Sequence, residues 1–180
     1  MTGSLRLVPL VCPTCGDDLP ALEDDVAFAC GRCRVGLELA DRGLQPRALR
    51  LVAGAGRPGG FHLPFWELDA GTRVPAFNTR EVLSLARRFS GRTLPLDRPG
   101  RRIRLVGASL PSGEAVRVAR FLGLRRAGTA GRPALLAVPF IDGGSHLRDL
   151  CTGARLYRET IDRCDALVRA ACLDRAATTT

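Results

Sequence analysis

C-P-T-C-G at residues 12–16 and C-G-R-C at residues 30–33 decide how the front of this 180-residue chain folds. Each carries two cysteines in C-x2-C spacing, Cys12 with Cys15 and Cys30 with Cys33, separated by fourteen intervening residues. Each tight turn presents two sulfurs to one point, and the intervening chain is long enough for a hairpin to bring the turns together. Four thiolates in a tetrahedron are the closed shell of structural Zn2+, so the pattern predicts one structural zinc held by Cys12, Cys15, Cys30 and Cys33. Gly16 and Gly31 suit the turns, because glycine reaches positive φ without steric cost.

Around these knuckles the pattern is that of a small antiparallel sheet. Residues 5–11 read as an entering strand, Glu23, Asp24 and Asp25 as a hairpin tip, and Val26 and Phe28 as the returning strand. Val35, Leu37 and Leu39 then alternate. Over about residues 9–40 the chain resembles the zinc-ribbon family, including the ribbons on transcription factors, through Cys12, Cys15, Cys30 and Cys33. The resemblance implies the fold and the metal and names no partner, since ribbons serve DNA, RNA and protein contacts alike. A rubredoxin-like iron site is the rival, although its knuckles are usually more widely spaced and its domain is richer in aromatics.

The remaining composition bounds the body. Apolar residues make up 46% of the chain and aromatic residues only 5%, so its core must rest on Leu, Val, Ala and Phe. Seven cysteines, an odd number with metal spacing among four, point to a reducing compartment, with the cytoplasm as the expected location. The N-terminal apolar stretch is too short and interrupted for a signal peptide, and no run is long enough to span a bilayer, so membrane insertion is not expected. Formal charge is +9, with all 27 basic residues arginine. Residues 1–43 carry 4 Arg against 7 acids (net −3), and the rest carry 23 Arg against 11 acids (net +12). Long-range attraction to nucleic acid would therefore come from the body.

The expected class is α+β: a ribbon over 1–43, a strand and Gly/Pro-rich linker over 44–60, and an α/β body over 61–180 with short strands and about three helices. A single strand is predicted over 44–53, with Pro46 at its start or at an edge. The linker glycines lack either phosphate-binding pattern. In residues 61–68, Phe61, Leu63, Phe65 and Glu67 alternate with His62, Trp66 and Leu68, and Pro64 argues for an edge strand or a bulge. Asn78 and Glu81 make a capping box for a helix carrying Val82, Leu85, Ala86 and Phe89. Strands are expected over 103–106 and 134–141, and helices over 113–124 and from Tyr157 to Arg175. Leu63-Pro64-Phe65 and Val138-Pro139-Phe140 open two similar passages, which suggests two pseudo-repeated strand-turn-strand-helix units. With its own periodicity, the body is expected to keep its helical signal if the ribbon unfolds.

No catalytic constellation stands out. Ser145, His146, Asp142 and Asp149 lie close in sequence without a nucleophile-elbow pattern. Cys164 and Cys172 read as buried small apolar residues, and Glu67, Asp69, Asp142 and Asp149 as a solvated rim. Arg87, Arg88, Arg92, Arg98, Arg101, Arg102 and Arg104, with one acid among them, are candidate contacts for a partner or for phosphate. Trp66 is a candidate aromatic contact. The leading reading is a non-catalytic zinc-ribbon accessory or adaptor subunit docking onto a larger protein complex. The alternative is a nucleic-acid-binding transcriptional regulator, and the third is an enzyme with dispersed chemistry.

Overall fold

The computed structural model describes residues 8–54, 60–69, 71–97, 104–124 and 131–172. Three strands, β1 (Ala27–Cys30), β2 (Val35–Ala40) and β3 (Gly43–Arg47), form an antiparallel sheet in that order. Strand alternation gives β1 two different duties. Phe28 and Cys30 join Cys12, Leu19 and Leu37 in a small core within the ribbon, whereas Ala27 and Ala29 join a core shared with the body. Alanine methyls let the two parts approach closely. Gly36 serves the same end, since a Cβ there would lie 3.3 Å from Leu135 Cβ.

The strand expected over 44–53 is two strands. It breaks at Ala48, so β3 closes the ribbon sheet while β4 (Leu49–Val52) runs parallel to the strand at Ala134–Asp142 in a second sheet. Pro46 sits on β3, at the outer edge of the ribbon sheet. The second sheet has seven strands: β4, β5 (Gly60–Glu67), β6 (Arg73–Pro75), β7 (Leu96–Asp97), β8 (Ala134–Asp142), β9 (His146–Asp149) and β10 (Arg155–Tyr157). The pairing of β7 with β4 falls in a stretch expected to be loop. Helices α1 (Val82–Phe89), α2 (Ser112–Phe121) and α3 (Cys164–Cys172) complete the α+β body.

β5 and β8 pair antiparallel along their length, with Leu63 opposite Val138, so the two corresponding positions of the sequence echo face each other. The Pro64 carbonyl accepts from Ala76 N–H and the Pro139 carbonyl from Leu150 N–H, both at 2.9 Å. Each proline nitrogen thus faces the point where its hairpin ladder ends, which explains a proline inside a central strand and corrects the expected edge or bulge at Pro64. Further on, Thr79 pairs with Ile161, and α1 and α3 each start three residues later. The two units therefore set matching positions opposite one another, at Leu63 with Val138 and at Thr79 with Ile161. Both their helices cover one face of the sheet, where Leu85, Phe89, Leu167 and Val168 pack on Leu63, Phe65, Val138 and Phe140. The opposite face carries Trp66, Leu135 and Ala137 and is covered by α2 and by Ala27 and Ala29 of the ribbon.

Several local expectations change. No side-chain cap closes α1: Glu81 instead accepts from Thr160 Oγ1 at 3.1 Å, while its own N–H donates to Thr79 Oγ1. The third helix starts at Cys164, because residues before it form β10 and a 3-10 turn over Arg158–Thr160. Residues 104–107 form no strand, and residue 103 lies outside the described residues, as do 5–7, 55–59 and 173–175 of the other expected elements. Leu105 and Val106 are nevertheless buried, and the chain runs on to Ala108, which bridges to Ala27.

The expected acidic hairpin tip is an anchor. Asp25 is only 8% exposed, and its Oδ2 accepts from Leu22 N–H at 2.8 Å and from Gly107 N–H at 2.9 Å. Burial, with the nearby Asp24 charge, raises its carboxyl above the ordinary value, against the two hydrogen bonds. A carboxyl raised in the folded state stabilises most when protonated, and that contribution is lost as pH climbs through the raised value. Asp25→Ala should cost about 1–3 kcal/mol in urea unfolding at neutral pH by stranding two buried N–H groups. Asp25→Asn keeps the acceptor, and its stability should fall progressively behind the wild type as pH drops from neutrality toward the ordinary carboxylate range with metal saturating.

Candidate metal centre

The first knuckle is built by backbone closure. Gly16 N–H donates to the Cys12 carbonyl and Cys12 N–H to that of Asp17, each at 2.8 Å, with Gly16 at φ +75°. In the second knuckle Arg34 N–H donates to the Cys30 carbonyl at 2.8 Å. Here the left-handed residue is Arg34, at φ +56°, and not Gly31 as the sequence suggested. The position after the second cysteine is thus the one that turns in both knuckles, and only the first fills it with glycine.

The four Sγ atoms of Cys12, Cys15, Cys30 and Cys33 lie within 4.8 Å of one another, with Cys15 and Cys30 at 3.6 Å. Four Zn–S bonds of about 2.3 Å arranged tetrahedrally would separate the sulfurs by about 3.8 Å, so the donor set fits one metal ion. Cys12 and Cys30 are buried, and Cys15 and Cys33 half-buried. Cys33 N–H also donates to Cys30 Sγ at 3.3 Å, which favours the thiolate. Without a cation the four thiols cannot ionise together. Burial raises Cys12, but N–H groups of Thr14 and Cys15 and the neighbouring thiols outweigh it and bring it to about 7. Cys33 is pushed up to about 12, chiefly by its thiol contact with Cys15. A four-sulfur shell leaves a tetrahedral ion no open position, which makes the site structural in type.

The arginine group divides. Arg87 and Arg88 are exposed on the last turn of α1, and Arg92 is exposed just beyond it, its Nε donating to the Arg88 carbonyl at 2.8 Å. Arg104 is half-buried, while Arg98, Arg101 and Arg102 lie outside the described residues. Trp66 is fully buried, and its indole N–H donates to the Leu110 carbonyl at 2.7 Å. It offers no ring face to a partner, which corrects its candidacy. Sequence reasoning passed over the most exposed aromatic side chain among the described residues, Phe121, which is 79% exposed beside Arg120 at the end of α2. Its position off the Ala115–Ala119 stripe was the signal.

The remaining candidates resolve into structural roles. Gly143 N–H donates to the His146 carbonyl, closing a hairpin turn, and Asp149 is buried with its carboxylate on the N–H groups of Cys151, Thr152 and Ala154. Glu67, expected in a solvated rim, is 5% exposed and receives Arg73 at 2.9 Å and Arg50 at 2.6 Å. Arg73 also donates to the carbonyls of Phe89 and Arg92, satisfying backbone at the end of α1. Cys164 is buried among apolar side chains. Burial alone lowers His62 to about 4 and so keeps it neutral.

Comparison with family models, with curated proteins and with solved structures returns no match for this chain.

Wild-type protein should bind one metal ion per chain by elemental analysis. Cys30→Ser should bind close to none, because three thiolates leave the shell open and Cys30 is also part of the ribbon core. Since Ala27 and Ala29 of the same strand sit in the body's core, the helical circular-dichroism signal of that variant should fall, against the expectation of an indifferent body.

Proposed function

We propose that this chain is a non-catalytic zinc-ribbon accessory subunit that docks onto a larger protein complex. The observation that carries this reading is the way the ribbon is committed. One face encloses the four-thiol shell and the other packs on the body, so the ribbon serves as framework while the exposed helix ends of the body remain open to a partner. Zinc is the metal that best matches four cysteine sulfurs in two C-x2-C knuckles. Seven cysteines, an odd number, suit a reducing compartment, in keeping with a cytoplasmic setting. Among the described residues no helix is long and apolar enough to cross a membrane.

Two helix ends supply contact chemistry of the kind found at interface hot spots, where aromatic residues and arginine are enriched. One is the C-terminal end of α1 with Arg87, Arg88 and Arg92, and the other is the end of α2 with Arg117, Arg120 and Phe121. The second reading is a nucleic-acid-binding regulator, favoured by the net +12 of residues 44–180. Phosphate contact would make binding fall steeply with salt, whereas an apolar anchor such as Phe121 resists screening.

Affinity purification from native cells at two salt concentrations, with protein and nucleic acid both assayed, decides between them. The adaptor reading expects a stoichiometric protein partner that survives high salt. Phe121→Ala and the double change Arg87→Glu with Arg88→Glu should each weaken partner capture while leaving the thermal midpoint almost unmoved, since all three side chains are exposed. Recovery of nucleic acid alone, lost at high salt, would overturn it.

A further inference from the structure

We propose that the ribbon is a metal-dependent latch that holds helix α2 against the sheet. It goes beyond the docking reading and stands whether or not a partner binds. The hold on α2 begins at its first residue. Ser112 N–H donates to Glu38 Oε1 at 2.7 Å and Ser112 Oγ to Glu38 Oε2 at 2.9 Å, so a carboxylate from β2 of the ribbon meets the positive end of the helix dipole. No local side chain caps this helix, whose preceding residue is Pro111. Glu38 is itself 5% exposed and is fixed by Arg47 at 2.8 Å.

The segment leading into α2 is stitched to the same ribbon. Gly107 N–H is held by Asp25, and the Ala108 carbonyl accepts from Val26 N–H at 2.8 Å and from Ala27 N–H at 3.1 Å. The Leu110 carbonyl takes the indole N–H of Trp66, the one tryptophan of the chain. The residues α2 buries fully, Ser112, Ala115 and Ala119, are small, and Val116 and Val118 pack beside them only part-buried. Two of the five residues in the ribbon's core, Cys12 and Cys30, are thiols of the metal site, so this core depends on the ion for its stability. The body keeps its own hold, through Ala76 and Trp66 on Leu110 and through Thr72 on Leu124, so loss of the ion loosens α2, and with it Arg117, Arg120 and Phe121, while α1 and α3 keep their own core on the opposite face.

Amide exchange on the full chain, loaded with Zn2+ and then stripped with a chelator, tests the latch. Stripping should speed exchange in α2 by about tenfold or more, leave α1 nearly unchanged and shift Trp66 emission to the red, and restoring Zn2+ should reverse all three. Unchanged exchange in α2, or equal loss of protection in α1, would overturn the proposal. Glu38→Ala separates the latch from the metal. It should retain one zinc per chain and still speed exchange in α2. A zinc-loaded Glu38→Ala protein with α2 fully protected would sink the coupling, and so would loss of zinc from this variant, because the latch places Glu38 outside the metal site.

Discussion

Four cysteine sulfurs within 4.8 Å of one another are a repulsive arrangement once ionised, and a bound cation turns that repulsion into the strongest constraint in the ribbon. With so few large apolar side chains in residues 9–40, the small core of Leu19, Phe28 and Leu37 leaves the two knuckles to be held together chiefly at the thiol cluster. The rest of the structure depends on this, because the ribbon is a wall of the body's core. Its alanine face replaces a helix that would otherwise have to cover Trp66 and Leu135.

Buried charges mark where separate elements meet. Glu38 joins the ribbon to α2, Asp25 joins it to the segment before α2, and the Glu67–Arg73 pair ties β5 and β6 to the end of α1. Buried ion pairs recover little net energy after desolvation, so their contribution is to geometry more than to stability. Each selects one docking of its elements, since any other would strand a charge or an N–H group away from water. These contacts add to the specificity of a core in which Phe61, Phe65, Phe77, Phe89 and Phe140 already pack ring on ring.

Much of this was legible from local chemistry. Cysteine spacing picked out the four sulfurs that come together, the alternation of Phe61, Leu63 and Phe65 against Trp66 and Leu68 assigned both faces of β5, and the Pro-Phe echo marked two positions that pair across β5 and β8. What stayed hidden depends on contacts between distant segments. Asp25 looked like a turn residue because its partner Gly107 is 82 positions away, and nothing set Glu38 apart because Ser112 is 74 away. Trp66 read as a contact residue for the same reason, since its acceptor Leu110 lies in another element. The left-handed Arg34 had no signal at all, as arginine is an unusual choice for that conformation.

The passage of the chain from β3 through Ala48 into β4 joins two sheets without an intervening loop. Side chains along a strand change face with every residue, so a shift of one position in the ribbon's pairing would carry through Ala48 and turn Leu51 and Val52 away from the faces they now occupy. The two sheets consequently share one register. Single-residue insertions or deletions between 43 and 52 should be far less tolerated than changes of residue type there, which makes this connector a ruler as well as a tether.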